Sequence, residues 1–182
     1  EKECREFANS ANPHQWFLLA EDMHCQAVYL YDNRKTLGFM TEYGFSIQNK
    51  TYCNSNRATF LLCFLALENT LKAFMVYEDP SLVENGFLNK KIMSHELIKL
   101  HQYSSIIPYK IRGSRILSQF DEGFESWMRY PAGSNARKIN SMMIMDERLW
   151  LSYRKLMRRY SRKLQELLSC GWIGPHGSGG GR

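Results

Sequence analysis

The sequence lacks the cysteine patterns that cross-link small secreted proteins or hold zinc. Its five cysteines are odd in number, widely spaced and free of any Cys-x-x-Cys or Cys/His ligand pattern. Disulfide frameworks and zinc sites need paired or closely spaced ligands, so neither is predicted. This cysteine usage fits a reducing cytoplasm, and we expect no cofactor. The cysteines are Cys4, Cys25, Cys53, Cys63 and Cys170.

Long uninterrupted apolar runs are also absent. The most apolar segment, residues 60–76 (FLLCFLALENTLKAFMV), contains Glu68 and Lys72, whereas a helix that spans a membrane needs about 20 predominantly apolar residues. The first residues show no basic, apolar and small-residue succession of the kind found in signal peptides. We therefore expect a cytoplasmic protein that neither enters a membrane nor is secreted.

The familiar catalytic and metal-binding signatures are missing too. There is no Gly-rich phosphate loop, no Gly-x-Ser-x-Gly elbow, no His-Glu-x-x-His and no paired-carboxylate motif. His95 and His101 are six residues apart, not the four that let two imidazoles on one helical face share a metal. No metal site and no catalytic site of these kinds is predicted.

The composition indicates one folded domain. The chain has 182 residues, of which 44% are hydrophobic and 23% charged, enough to bury a core without cross-links. Strand alternation and fixed-period repeats are absent, whereas apolar steps of three and four recur. We predict an all-α bundle of four to five helices over 13–168, after an N-terminal extension (1–12) and before a flexible Gly-rich tail or expression remnant (169–182).

Boundary signals accompany the apolar periods. Asn12-Pro13 is a cap and first-turn pair, and the Ser94 hydroxyl suits an N-cap. The stretch from Gly38 to Asn56 lacks a helical period and is read as a connection with room for a short extended piece. The predicted helices are Pro13 to Asn33, Asn56 to Glu78, Ser94 to Pro108, one through Leu117 and Trp127 to Tyr130-Pro131, and a long one from Met142 to Leu167.

The second predicted helix is apolar nearly all round and should lie at the centre of the bundle. Its two charges, Glu68 and Lys72, are four residues apart with the acid first, the favourable order on a helix. An unpaired charge inside a bundle costs several kcal/mol. We expect them to pair with each other or with a neighbouring helix or dimer partner; the alternative is that both extend outward along a narrow polar edge.

Positive charge is concentrated late in the chain. The net charge is +6, and a basic stripe in the last part of the sequence exceeds that value against only Asp146 and Glu147. Such a stripe can bind phosphates, and the alternative is an ordinary solvated helix face. Its members are Arg129, Arg137, Lys138, Arg148, Arg154, Lys155, Arg158, Arg159, Arg162 and Lys163.

Several short motifs occur in a recognisable order. The helix pattern from Trp16 to Leu30 is followed by ALENTLKAF, SHELIKL and MRYP before the long last helix. This order and spacing resembles the HEPN superfamily of small helical bundles, over most of the range 13–168. The resemblance implies an up-and-down bundle, frequent homodimerisation, and work on RNA or nucleotides, often in prokaryotic toxin-antitoxin settings.

The ribonucleases of that superfamily carry an arginine followed, after four to six residues, by a histidine. Here Arg129 lies in the matching region, but the positions for the histidine are Ser134 to Ala136. The resemblance thus implies a non-catalytic member that binds RNA, a nucleotide or a protein partner through the basic face of the last helix. The expected contacts are Arg154, Lys155, Arg158, Arg159, Arg162, Arg129 and Arg137, and the expected polar core is Glu68, Lys72 and His95.

Two other functions stay open within the same resemblance. One is a divergent, metal-independent ribonuclease in which Arg129 and Arg137 hold the phosphate and another group replaces the histidine. The other is a regulatory partner of a nucleotidyltransferase-like or toxin-like protein. Neither alternative involves a membrane.

Overall fold

The computed structural model describes residues 1–43, 46–124, 126–129 and 143–178, and for 37–43, 46–52 and 178 it describes the backbone alone. Most of the described chain is helical, which confirms the predicted fold class in its coarse form. The helices are α1 (Lys2–Ser10), α2 (Pro13–Asp32), α3 (Asn56–Glu78), α4 (Leu97–Tyr103), α5 (Lys110–Phe124) and α6 (Glu147–Ser169), with a 3-10 turn at Pro80–Val83; the strands are β1 (Thr36–Tyr43), β2 (Ser46–Cys53), β3 (Ile173–Gly174) and β4 (Gly177–Ser178).

Helix α3 is the centre of the molecule, as predicted, and its bounds coincide with those expected from the sequence. It packs along α2 and also contacts α4, α5 and α6. Phe60, Phe64 and Phe74 are fully buried, and burial of each such side chain contributes about 1.5–3 kcal/mol. Apolar residues on all sides of α3 therefore meet a neighbouring helix, which explains the lack of a polar face.

By length and composition alone, α3 is also able to cross a membrane. However, 83% of its apolar 18-residue stretch is buried inside the protein. Glu68 and Lys72 were expected to exclude a spanning helix by themselves. That expectation was too strong, because the segment is long and apolar enough to cross a membrane with both charges present. Its burial by the surrounding helices is what gives α3 the character of a core helix.

Helices α2 and α6 begin at side-chain caps. The Asn12 side chain accepts a hydrogen bond from the Gln15 amide at 2.9 Å, with Pro13 in the first turn, as predicted. In α6 the Asp146 carboxylate accepts from the Leu149 amide at 2.7 Å. Residue 142 lies outside the described part, but residues 143–146 are not helical, so α6 begins later than the predicted Met142. The buried seam of α6 contains Tyr153, Leu156, Tyr160 and Leu164.

A two-stranded antiparallel hairpin lies between α2 and α3, where the sequence predicted a connection with room for a short extended piece. Strand β1 pairs with β2 from Thr36 opposite Cys53 to Tyr43 opposite Ser46. The segment contains threonine, tyrosine, phenylalanine and isoleucine, which favour strands, although it does not alternate apolar with polar residues. Backbone hydrogen bonds pair the two strands, so hydrophobic alternation was the wrong signal to require.

Helix α4 is shorter than predicted at both ends. It starts at Leu97 because the Asp121 carboxylate of α5 accepts hydrogen bonds from the Leu97 and Ile98 amides, at 2.7 and 2.9 Å. Ser94, the predicted cap, accepts from the Glu96 amide at 3.2 Å, ahead of the first helical residue. The helix ends at Tyr103, before the expected stop at Pro108.

The predicted fourth helix is α5, and it also ends early. It stops at Phe124, whereas Trp127 lies in the following turn and is 4% exposed. The predicted end at Tyr130-Pro131 lies outside the described residues.

Both chain ends take part in the fold, although the prediction set 1–12 and 169–182 apart from the bundle. Ala8 of α1 is buried. Near the other end Trp172 packs against the core, and its Nε1 donates to the Val76 carbonyl at 3.2 Å. The hairpin β3–β4 follows, and His176 Nε2 donates to the Glu84 carbonyl at 2.9 Å. Residues 179–182 lie outside the described part.

Candidate functional site

Three arginines of α6 form one exposed row. Arg154, Arg158 and Arg162 follow each other at intervals of four residues, and each turn of an α-helix advances about 5.4 Å. They line a cleft of about 340 Å³ beside α2, and we call them the arginine row. The other residues that line this cleft are Glu21, His24, Ser161 and Gln165.

The Glu21 carboxylate in this cleft already accepts a hydrogen bond from a hydroxyl group. Glu21 Oε1 accepts a hydrogen bond from Ser161 Oγ at 2.5 Å. Within the described residues, Arg158 and Arg162 form no ion pair with an acidic side chain. The positive charge of the row is therefore available to an anion from outside.

His24 is the titratable base in the cleft. Its Nδ1 lies 2.9 Å from the Tyr153 hydroxyl oxygen, and Tyr153 is fully buried. Burial lowers the pKa of His24, the Glu21 carboxylate raises it, and the Arg154 guanidinium lowers it, with a net decrease. The imidazole is thus neutral at pH 7 and provides a hydrogen-bonding group without adding charge to the arginines.

The remaining predicted contacts of α6 do not join the row. The Arg159 guanidinium lies 3.7 Å from the centre of the Tyr109 ring, and its side chain is half-buried. Lys155 is exposed but does not line the cleft. The basic face expected from the sequence is therefore divided between separate surfaces.

The two earlier arginines are also apart from the row. Arg129 follows α5, and its guanidinium lies 4.9 Å from the centre of the Phe124 ring. It lines a different cleft, together with His95. Arg137 lies outside the described residues.

The predicted polar core forms around α3. Lys72 Nζ lies 2.5 Å from Glu68 Oε1, and the side chains are only 6% and 4% exposed. The prediction that they pair is confirmed, and the alternative of two side chains extending along a polar edge is wrong. His95 Nδ1 lies 3.0 Å from Glu68 Oε2, while the His95 side chain is 61% exposed. His95 is therefore a partner at the rim of the core. Lys72 Nζ also lies 5.4 Å from the centre of the Trp16 ring.

Sequence reasoning missed the α2 side of the arginine cleft. Glu21 and His24 precede their α6 partners by more than a hundred residues, so no local spacing could connect them. Ser161 and Gln165 could have been predicted from the sequence, because they share one face of α6 with Arg158 and Arg162. In the described residues, no group of three His, Cys, Asp or Glu side chains is placed to hold a metal ion.

Comparisons with known proteins give no match to a family model, to a curated protein or to a solved structure.

Proposed function

We propose that the protein is a non-catalytic RNA-binding module and that the arginine row holds the phosphate backbone. The observation that carries the proposal is the cleft itself, in which Arg154, Arg158 and Arg162 face one volume beside α2. Guanidinium groups bind phosphate oxygens bidentately, which suits successive phosphates along a strand. Ser161, Gln165 and His24 add polar groups beside the row.

The line of arginines continues past the cleft. Arg154 lies 5.9 Å from the centre of the Trp150 ring. Trp150 stacks on Tyr31 with ring centres 4.0 Å apart, and the Arg34 guanidinium lies 3.6 Å from the centre of the Tyr31 ring. Cations thus extend from α6 to the end of α2. An extended polyanion fits such a line better than a single phosphate group does.

The same geometry supports binding more than cleavage. His24 is hydrogen-bonded to Tyr153, and Glu21 accepts from Ser161. The arrangement has cations for the phosphate, but the Glu21 carboxylate already accepts a hydrogen bond, so His24 would have to provide both the acid and the base that cleavage needs. The expected ribonuclease motif is absent from the sequence as well. A cleavage assay on mixed RNA distinguishes the two functions, and we expect intact RNA.

Fluorescence anisotropy with a labelled single-stranded RNA tests the proposal. Removing two phosphate contacts with Arg158→Gln and Arg162→Gln should weaken binding roughly tenfold at low salt and reduce the slope of log affinity against log salt by about 1.4. The matched control carries Arg112→Gln and Arg115→Gln, two exposed arginines of α5 that change the net charge equally. It should bind like the parent protein.

Two results would overturn the proposal. Absence of RNA binding by the parent protein at low salt removes the function altogether. Equal losses in the two double variants would show that net charge attracts the RNA without a defined site.

A further inference from the structure

His24 connects the arginine cleft to the interior of the bundle. Its Nδ1 lies 2.9 Å from the Tyr153 hydroxyl oxygen, and Tyr153 is fully buried. The buried thiol of Cys63, from α3, hydrogen-bonds to the same hydroxyl group. Side chains from α2, α6 and α3 thus form one line of hydrogen bonds that ends at the cleft. We call it the His24 chain.

The His24 chain accommodates either protonation state of the imidazole. Burial raises the pKa of the Cys63 thiol, so the thiol keeps its hydrogen. When His24 is neutral, the thiol donates to Tyr153 and the hydroxyl group donates to Nδ1. When His24 is protonated, Nδ1 donates to Tyr153 and the hydroxyl group donates to the Cys63 sulfur, a weak acceptor. A proton can therefore be added to His24 without leaving Nδ1 or the Tyr153 hydroxyl unpaired.

The second ring nitrogen of His24 is the one left for a ligand. Nδ1 is engaged with Tyr153, and the half-buried ring lines the cleft beside the arginine row. Since the hydroxyl group supplies the hydrogen of the bond to Nδ1 in the neutral state, Nε2 carries a hydrogen in both states. Protonation thus adds a positive charge to the cleft and keeps the same donor.

The surroundings of His24 oppose this charge in the free protein. Burial lowers the pKa of His24, the Glu21 carboxylate raises it and the Arg154 guanidinium lowers it, with a net decrease. An anion bound in the cleft offsets the repulsion from the arginines and favours the imidazolium. The titratable and charged groups around His24 and Tyr153 are Glu21 and Cys25 from α2, Cys63 from α3, and Arg154, Arg158 and Arg162 from α6.

We propose that RNA binding in the arginine cleft takes up a proton and that His24 receives it. This proton coupling rests on the RNA binding proposed above and regulates the same site. The proton comes from the solvent, the bound phosphate stabilises the imidazolium, and Nε2 donates to a phosphate oxygen. The cleft then holds more positive charge in the complex than in the free protein.

Acid should therefore strengthen RNA binding. An imidazole whose pKa is higher in the complex than in the free protein contributes affinity at low pH, and this contribution is lost as the pH rises through the pKa of the complex. The phosphodiester groups of RNA keep their charge across this range, so the ligand sets no opposite trend.

Fluorescence anisotropy with a labelled oligouridylate at fixed ionic strength tests the coupling, because uracil does not titrate near neutral pH. We expect the parent protein to bind at least about threefold more tightly at about pH 5.5 than at about pH 7.5. His24→Gln should lose most of this gain, because an amide does not titrate. His14→Gln is the matched control, an exposed histidine of the same helix that does not line the cleft, and it should keep the gain.

Isothermal titration in two buffers of different ionisation enthalpy counts the protons taken up when the RNA binds. The parent protein should take up protons, and His24→Gln should take up fewer. Tyr153→Phe keeps the aromatic ring in the core and removes the hydroxyl group. It should also reduce the uptake, because Nδ1 of the imidazolium loses its acceptor.

Three results would overturn the coupling: an equal pH gain in the parent protein and His24→Gln, equal losses in His24→Gln and His14→Gln, or RNA binding without proton uptake. Each of these leaves RNA binding by the arginine row in place. Absence of RNA binding at both pH values removes the proposed function and the coupling together.

Discussion

At the scale of single residues, the pair Glu68 and Lys72 was predictable because it involves neighbours on one helix. Four-residue spacing places the two side chains on the same face, and the apolar sequence around them makes an unpaired charge costly. The position of His95 at the rim was only partly predictable. Residues of the polar core could be named from the sequence, but the exposure of its third member depends on the loop before α4.

Breaking the buried pair should destabilise the protein strongly. We expect Lys72→Met to reduce the free energy of unfolding by about 3–5 kcal/mol, because it leaves a buried carboxylate with the His95 partner alone. The double variant Glu68→Gln/Lys72→Met should be less destabilised than the sum of its single variants. Urea unfolding curves measure all of these values. Strict additivity would contradict a direct interaction between the two side chains.

The arginines show where residue-level prediction ends. Periodicity identifies the face of α6 on which Arg154, Arg158 and Arg162 lie. It does not say that α2 lies beside that face, or that Arg159 turns to the ring of Tyr109. A count of charges therefore overestimates a binding surface, since tertiary neighbours decide which guanidinium groups converge.

At the scale of elements, prediction succeeded where the signals were local. The bounds of α3 and the Asn12 cap of α2 follow from residues within a few positions of the helix ends. Helix α4 was predicted too long because its cap comes from Asp121, 24 residues after Leu97. The C-terminal segment was set aside for its glycines, although Trp172 contacts the core.

Removing the Trp172 side chain should therefore destabilise the bundle. The indole packs against the core and donates to the Val76 carbonyl, so we expect Trp172→Ala to reduce the free energy of unfolding by about 1–3 kcal/mol. Ile173→Ala in the same hairpin is the control, because Ile173 is 78% exposed. It should change the value by less than about 0.5 kcal/mol. Thermal unfolding of both variants provides the comparison, and a parent-like Trp172→Ala would mean that the segment contributes nothing to stability.

At the scale of the whole molecule, stability should depend on pH through a buried histidine that does not line the arginine cleft. His101 is 3% exposed, and burial, with a further contribution from the nearby Lys110 ammonium, lowers its pKa to about 4. His101 Nε2 makes no hydrogen bond with the described chain, nor does the Tyr160 hydroxyl. Protonation in the folded state therefore places an uncompensated charge between helices.

The direction of the effect follows from the two pKa values. The imidazole takes up its proton near pH 6.5 in the unfolded chain and near pH 4 in the folded protein. The stability contributed by the neutral His101 is therefore complete above pH 6.5 and is lost as the pH falls towards 4. The slope should reach about 1.4 kcal/mol per pH unit. Urea unfolding at a series of pH values measures it. His101→Gln should flatten this slope, and an unchanged slope would assign the acid sensitivity to other groups, such as His24.

Helix α2 carries one side chain that contacts the buried ion pair of α3 and another that lines the arginine cleft. Trp16 lies over the ammonium of Lys72, and His24, eight positions later, lines the arginine cleft. Along a helix that rises about 1.5 Å per residue, these two positions are about 12 Å apart. A ligand that tilts or shifts this helix at one end changes the geometry at the other, and by thermodynamic linkage the influence runs equally in both directions. Movement of α2 at the arginine cleft would therefore also move the Trp16 ring relative to the Lys72 ammonium.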